Sequence, residues 1–187
     1  KGKPFARRWW KWGAPMAAAA GIGVAFLMTQ SESASRGLVA KRGAGAYVDS
    51  VPISYVEEQA ISTLSSPSFA LDMRDPDHGH IFEFIRSKGH ACPEGEIPKG
   101  LADIPGIGCR VMELAGKPGA IVCFRKGDQT VHLLVFREAD VDCLGMSRGA
   151  SPELDQHGSW AVARWQNAGR VFLLLGHTKK EDLGDLF

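Results

Sequence analysis

The sequence predicts an α+β fold: an antiparallel sheet of about five strands with helices on one face, preceded by a single N-terminal transmembrane helix. Three observations carry that expectation. An uncharged run at 13–30 follows directly on five basic residues and three tryptophans. Five β-type segments between Gly108 and Gly176 are divided by strong turn sequences. Ahead of them, Ile81, Phe82, Phe84 and Ile85 repeat at helical spacing.

At the N-terminus KGKPFARRWWKWG leads into APMAAAAGIGVAFLMT, and the uncharged run of about 18 residues approaches the ~20 that span a bilayer core as a helix. Trp9, Trp10 and Trp12 stand where interfacial indoles belong, beside Arg7, Arg8 and Lys11, and these six form the expected membrane anchor. Basic residues on this side predict it inside and everything after Gln30 outside. The organisation read from this is a basic cytoplasmic juxtamembrane segment at 1–12, a transmembrane helix at 13–30, a tether at 31–50 and an extracytoplasmic α+β domain at 51–187. Two other readings stand beside it. The order basic, apolar, small also fits a cleaved export signal, with ARRWWK similar to a twin-arginine motif, although Ser31 to Ser35 offers a poor cleavage site. A buried soluble helix is the third reading, and the basic and Trp cluster at one end argues against it. The chain opens on Lys, which leaves room for an inside segment upstream.

Composition narrows the function classes. Hydrophobic residues are 44% and charged residues 23%, which supports a core and excludes wholesale disorder. The net charge of +1 hides an asymmetry: 1–31 hold five basic residues and no acid, and the remainder carries 17 basic against 21 acidic residues, a net of −4. A mildly acidic domain argues against nucleic acid as a partner. P-loop, GxGxxG and HExxH patterns are all missing, no nucleophile stands in a recognisable catalytic context, and no cofactor is implied.

Along the outside region, residues 31–46 are small, polar and glycine-bearing, as a tether is. A short helix is expected around Val56 to Leu64 and a short strand at FALDM, 69–73. The next helix has Asp75 as its cap, Pro76 in its first turn and Gly89 just past its end. GCRVMEL, AIVCFR and TVHLLVFR then read as strands parted by AGKPG and KGDQ. A polar loop, 138–158, precedes the strands SWAVARWQ and GRVFLLLG, joined by the turn NAG. In the closing TKKEDLGDLF, Thr178 and Glu181 fit a capping box, with Leu183, Leu186 and Phe187 docking inward.

This order of parts resembles bacterial transmembrane anti-sigma factors and related regulators. GCRVMELAGKPGAIVCFRKGDQTVHLLVF and WAVARWQNAGRVFLLLGHTKKEDLGDLF carry the likeness, over roughly 69–187: a hairpin, a third strand, a Trp-bearing hairpin and a short terminal helix. The resemblance implies a non-enzymatic, single-pass regulator of the bacterial inner membrane, N-terminus cytoplasmic, with an extracytoplasmic sensing or interaction domain. Its partners are the membrane and a protein, bound by that domain or by a cytoplasmic segment upstream of Lys1. The competing class is an exported metal- or redox-binding protein using Cys and His.

His78, His80, His90 and Cys92 supply four soft-metal ligand types in HGH…HAC. On a helix, however, His78 and His80 point about 200° apart, so a polar helix start followed by a loop explains them as well. Four cysteines allow three pairings, and Cys92 and Cys143 both fall in loops. Glu57, Glu58, Asp75 and Asp77 read as solvated or capping. Trp160 and Trp165, five apart, should face opposite sides of a strand, one in the core and one toward a partner. With a turn centred on Gly116 and a second at Gly127–Asp128, Cys109 falls opposite Cys123 and Cys123 opposite His132. All three then share a buried face with Val111, Ile121, Leu134 and Phe136. Three readings stay open: buried free thiols, a Cys109–Cys123 cross-strand disulfide, or a Cys-Cys-His metal site.

Overall fold

Strand formation dominates the chain after Pro105, and its order in space follows from two three-stranded meanders. The computed structural model describes residues 50–93, 97–146, 148–149 and 151–187. The anchor residues Arg7 to Trp12, the 13–30 span and nearly all of the tether lie outside these. Among the described residues no helix is long and apolar enough to cross a membrane.

The first meander comprises β2 (Gly106–Leu114), β3 (Lys117–Lys126) and β4 (Gln129–Arg137). The second comprises β6 (Glu153–His157), β7 (Trp160–Asn167) and β8 (Arg170–Gly176). They join as one six-stranded antiparallel sheet in the order β2-β3-β4-β8-β7-β6. All four two-residue turns of the sheet hold positive φ, Gly158 between β6 and β7 among them at 61°. Ala115 and Gly116 have φ of 53° and 73°, Ala168 and Gly169 of 45° and 75°, and Gly127 of 63°. Primed turns of this kind match the right-handed twist of the flanking strands.

The sheet has six strands where about five were expected, because ELDQH, read as loop, forms β6. Its polar sequence suits an edge strand, where charge discourages pairing with other chains. A separate two-stranded parallel pair joins β1 (Val51–Pro52) to β5 (Val141–Asp142).

Both faces of the sheet are covered, which corrects the expectation of helices on one side. On one face lie α2 (His78–Ser87), α3 (Lys99–Ala102) and α4 (Lys180–Gly184). Ile81, Ile85, Leu101, Leu183 and Leu186 pack there on Val122, Phe124, Leu133, Val135, Phe172 and Leu174. The other face receives α1 (Ile53–Leu64), whose Val56 and Ala60 pack with Ile121, Leu134, Phe136, Val162 and Leu173. Strands buried on both sides need no polar alternation. That is why AIVCF, LLVF and VFLLL are almost continuously apolar.

The smaller elements are displaced from expectation in instructive ways. Asp77 rather than Asp75 caps α2, accepting from the His80 N–H at 3.1 Å, while Asp75 accepts from the Asp77 N–H at 2.8 Å. Pro76 therefore precedes the cap. Gly89, with φ of 76°, follows the Lys88 C-cap as expected. FALDM shrinks to a single bridge from Met73 to Cys109. There the Cys109 N–H donates to Met73 O and the Asp72 N–H to Cys109 O, closing the outer edge of β2. A Cβ at Gly108 would overlap Met73 O, so only glycine lets that segment approach. The capping box at 178–181 does not form: Thr178 Oγ1 donates to Asp182 Oδ2 at 2.9 Å, and no side chain caps α4. Leu183 and Leu186 are buried, whereas Phe187 stays at the rim, edge-on to Trp165 at 4.9 Å.

Candidate functional site

Adjacent central strands bring together one predicted pair. Cys123 on β3 is the cross-strand partner of His132 on β4, and Cys123 Sγ lies 3.1 Å from His132 Nδ1. Cys123 is 2% exposed. Burial pushes its thiol up to about 12 and the His132 imidazole down to about 4. Both groups are therefore neutral near pH 7, and a single proton lies between sulfur and nitrogen. The nucleophile of cysteine chemistry is the thiolate, and this environment disfavours it. Aromatic rings surround the pair: Phe69 stands edge-on to His132 at 6.2 Å, Trp160 lies 6.2 Å on another side, and His177 meets Trp160 at 5.7 Å.

Cys109 does not join them. The first turn is Ala115–Gly116 alone, so Cys109 pairs with Val122 and Gly108 with Cys123. That one-residue slip sends Cys109 and Val111 to the α2 face and leaves Cys123 on the α1 face. Of the three open readings, the Cys109–Cys123 disulfide and the Cys-Cys-His site both lack the geometry they need. None of the four cysteines, Cys92 and Cys143 included, is joined in a disulfide. Burial raises Cys109 and Cys143 to about 11.

The HGH…HAC residues are likewise dispersed. His78 Nε2 lies 2.8 Å from Ile104 O, with its ring edge-on to Phe124. His80 pairs with Asp75 at 3.1 Å, and the hydrogen bond to that carboxylate raises its pKa. His90 Nδ1 is buried without a hydrogen-bond partner among the described residues. Cys92 Sγ reaches Phe82 O at 3.5 Å. Among the described residues no group of three or more His, Cys, Asp or Glu is placed to hold a metal ion. Trp160 and Trp165 do take opposite faces; Trp165 is the core residue, stacked on Phe172 at 5.0 Å.

A second constellation centres on Arg164. Arg164 on β7 donates through Nη1 to Glu57 Oε1 at 2.7 Å, through Nε to Glu153 Oε2 at 3.2 Å and through Nη2 to Asp155 Oδ2 at 3.2 Å. His157 Nε2 lies 3.5 Å from Asp155 Oδ2 and 3.7 Å from Glu57 Oε2. Glu57 is 2% exposed on α1, so the guanidinium fastens this helix to β6 and β7. The backbone N–H of Gln156 holds the Asp155 carboxyl below its usual range, with His157 and Arg164 adding to the effect. The signal was present in the sequence. Glu57 falls within the helical stripe Ile53, Val56, Ala60, Leu64, and Arg164 interrupts the apolar run AVARW. A charge set in each apolar pattern implies a buried partner.

No family model, curated protein or solved structure matches the chain.

Proposed function

We propose that the chain is a non-enzymatic, single-pass membrane regulator whose 51–187 domain senses a ligand or binds a partner outside the cytoplasm, as anti-sigma regulators do. The observation that carries this reading is the order of parts along the chain, a charge-flanked uncharged run ahead of a folded α+β domain. A run flanked by Arg7, Arg8 and Lys11 feeds a tether, and the first helix after the tether, α1, is fastened to the sheet by the buried Glu57–Arg164 pair. That pair ties α1 directly to β7.

A reporter active only outside the cytoplasm, fused after Phe187, should be active, and the full chain should remain in the membrane fraction. A reporter active only in the cytoplasm would overturn the reading. A soluble, shortened product would replace the anchor with a cleaved signal. The rival class, an exported metal- or redox-binding protein, has one supporting observation, the Cys123–His132 contact. Stoichiometric zinc or copper in the same purified chain would favour that class.

A further inference from the structure

The last residue pair of the β4–β8 ladder is Arg137 opposite Arg170. Like charges directly opposed across antiparallel strands are destabilising. Both side chains belong to the α2 face, since Arg137 continues the alternation Val131, Leu133, Val135, and Arg170 precedes Phe172 and Leu174. Arg86, in the last turn of α2, and His90, in the loop after it, come over the same strand ends. Together with the Ala168–Gly169 turn, these residues line a cleft of about 320 Å³. That volume falls at the small end of ligand pockets.

The cleft's lining holds three arginines and, among the described residues, no carboxylate. Arg137 Nε donates to Asp140 Oδ2 at 2.9 Å, which orients that guanidinium from one side. The neighbouring acid Glu138 is engaged by Arg148 at 2.9 Å. His90 adds a ring whose Nδ1 lacks a partner among the described residues.

We propose that this cleft is an oxyanion site for a phosphate-type ligand, held between Arg137 and Arg170 with Arg86 and His90 on the third side. A guanidinium fork matches planar or tetrahedral oxyanions through two parallel N–H bonds, and charge-assisted bonds of this kind are the strong ones. Two opposed forks with a third group beside them suit an anion that presents oxygens in several directions. A phosphate group does so; a carboxylate presents only two. The bound anion also turns the repulsion between Arg137 and Arg170 into two attractions. The phosphate source is either free phosphate or a phospholipid headgroup, whose chemistry at the site is the same.

The test is calorimetric titration of the full chain, at low salt, with inorganic phosphate and separately with glycerophosphoglycerol, a deacylated headgroup. Saturable binding of at least one is expected, and the tighter of the two identifies the source. Arg170→Gln should weaken binding by at least about tenfold, the scale of one lost charge-assisted pair, with Arg170→Lys falling between it and the parent. Without ligand, Arg170→Gln should melt no lower than the parent chain, because a like-charge pair is removed. Arg125→Gln, on exposed β3 surface, should bind as the parent does. The proposal is overturned if neither ligand binds, or if a folded Arg170→Gln binds as tightly as the parent.

Discussion

A neutral imidazole under Trp160 and Phe69 ties stability to pH at His132. Its folded pKa, near 4, lies below the ordinary 6.5. Above pH 6.5 neither folded nor unfolded chain binds the proton, and this contribution is complete. Between pH 6.5 and 4 the unfolded chain takes up the proton first, so stability falls with pH, by at most about 3 kcal/mol for this group. Urea unfolding at pH 7.5 and 4.5 should show that drop in the parent chain, and His132→Asn should lose less between the two conditions. Equal losses would remove His132 as the cause. The Cys123–His132 pairing was legible because Gly127–Asp128 permits one tight turn. Cys109 was not. AGKPG accommodates a two- or a three-residue loop, and the observed turn puts Ala115 at positive φ, against the residue preference for Asn, Asp or Gly. One residue of ambiguity there decides which face Cys109 occupies.

Of the two longer helices, α1 has the weaker sequence support and the more specific attachment. Its N-cap is Pro52, without a side-chain cap bond, so propensity and capping contribute little to it. Packing of Val56 and Ala60 holds it, together with Glu57 on Arg164. Removing one partner of a buried pair strands the other charge, and here the Arg164 side chain is 20% exposed against 2% for Glu57. Arg164→Met should therefore cost about 2–3 kcal/mol, somewhat below the range for fully buried pairs. Glu57→Gln should cost about 1 kcal/mol, since Glu153 and Asp155 still engage the guanidinium. Asp155→Asn should cost less than about 1 kcal/mol, as exposed pairs do. Chemical denaturation midpoints of the three variants give the order; three equal values would mean that the guanidinium does not act as the hub. A short helix at 56–64 was legible, three residues short of the observed start at Ile53. The attachment was not, because Glu57 and Arg164 are 107 residues apart and only the folded sheet makes them neighbours.

Across the whole domain, the antiparallel class and the five strands expected between Gly108 and Gly176 stand where turn residues and apolar runs put them, while FALDM forms only a bridge. The second covered face went unread, although AIVCF, LLVF and VFLLL are too continuously apolar for a sheet with one wet side. A period-two pattern locates a strand, but the missing alternation reports what lies on both sides of it. The same layering makes α1 a structural cover rather than an appendage. Taking it away exposes Ile121, Leu134 and Leu173, removes the burial of Val56 and Ala60, and strands Arg164 between two carboxylates. Full burial of one large apolar side chain contributes about 1.5–3 kcal/mol, and a domain's whole stability is about 5–15 kcal/mol. A chain beginning at Ser50 should therefore unfold in one cooperative transition. A chain beginning at Ser65 should bind a hydrophobic dye strongly and lose that sharp transition. If the shorter chain melts at the same midpoint without binding dye, the sheet sustains its own second face and α1 is dispensable to the fold.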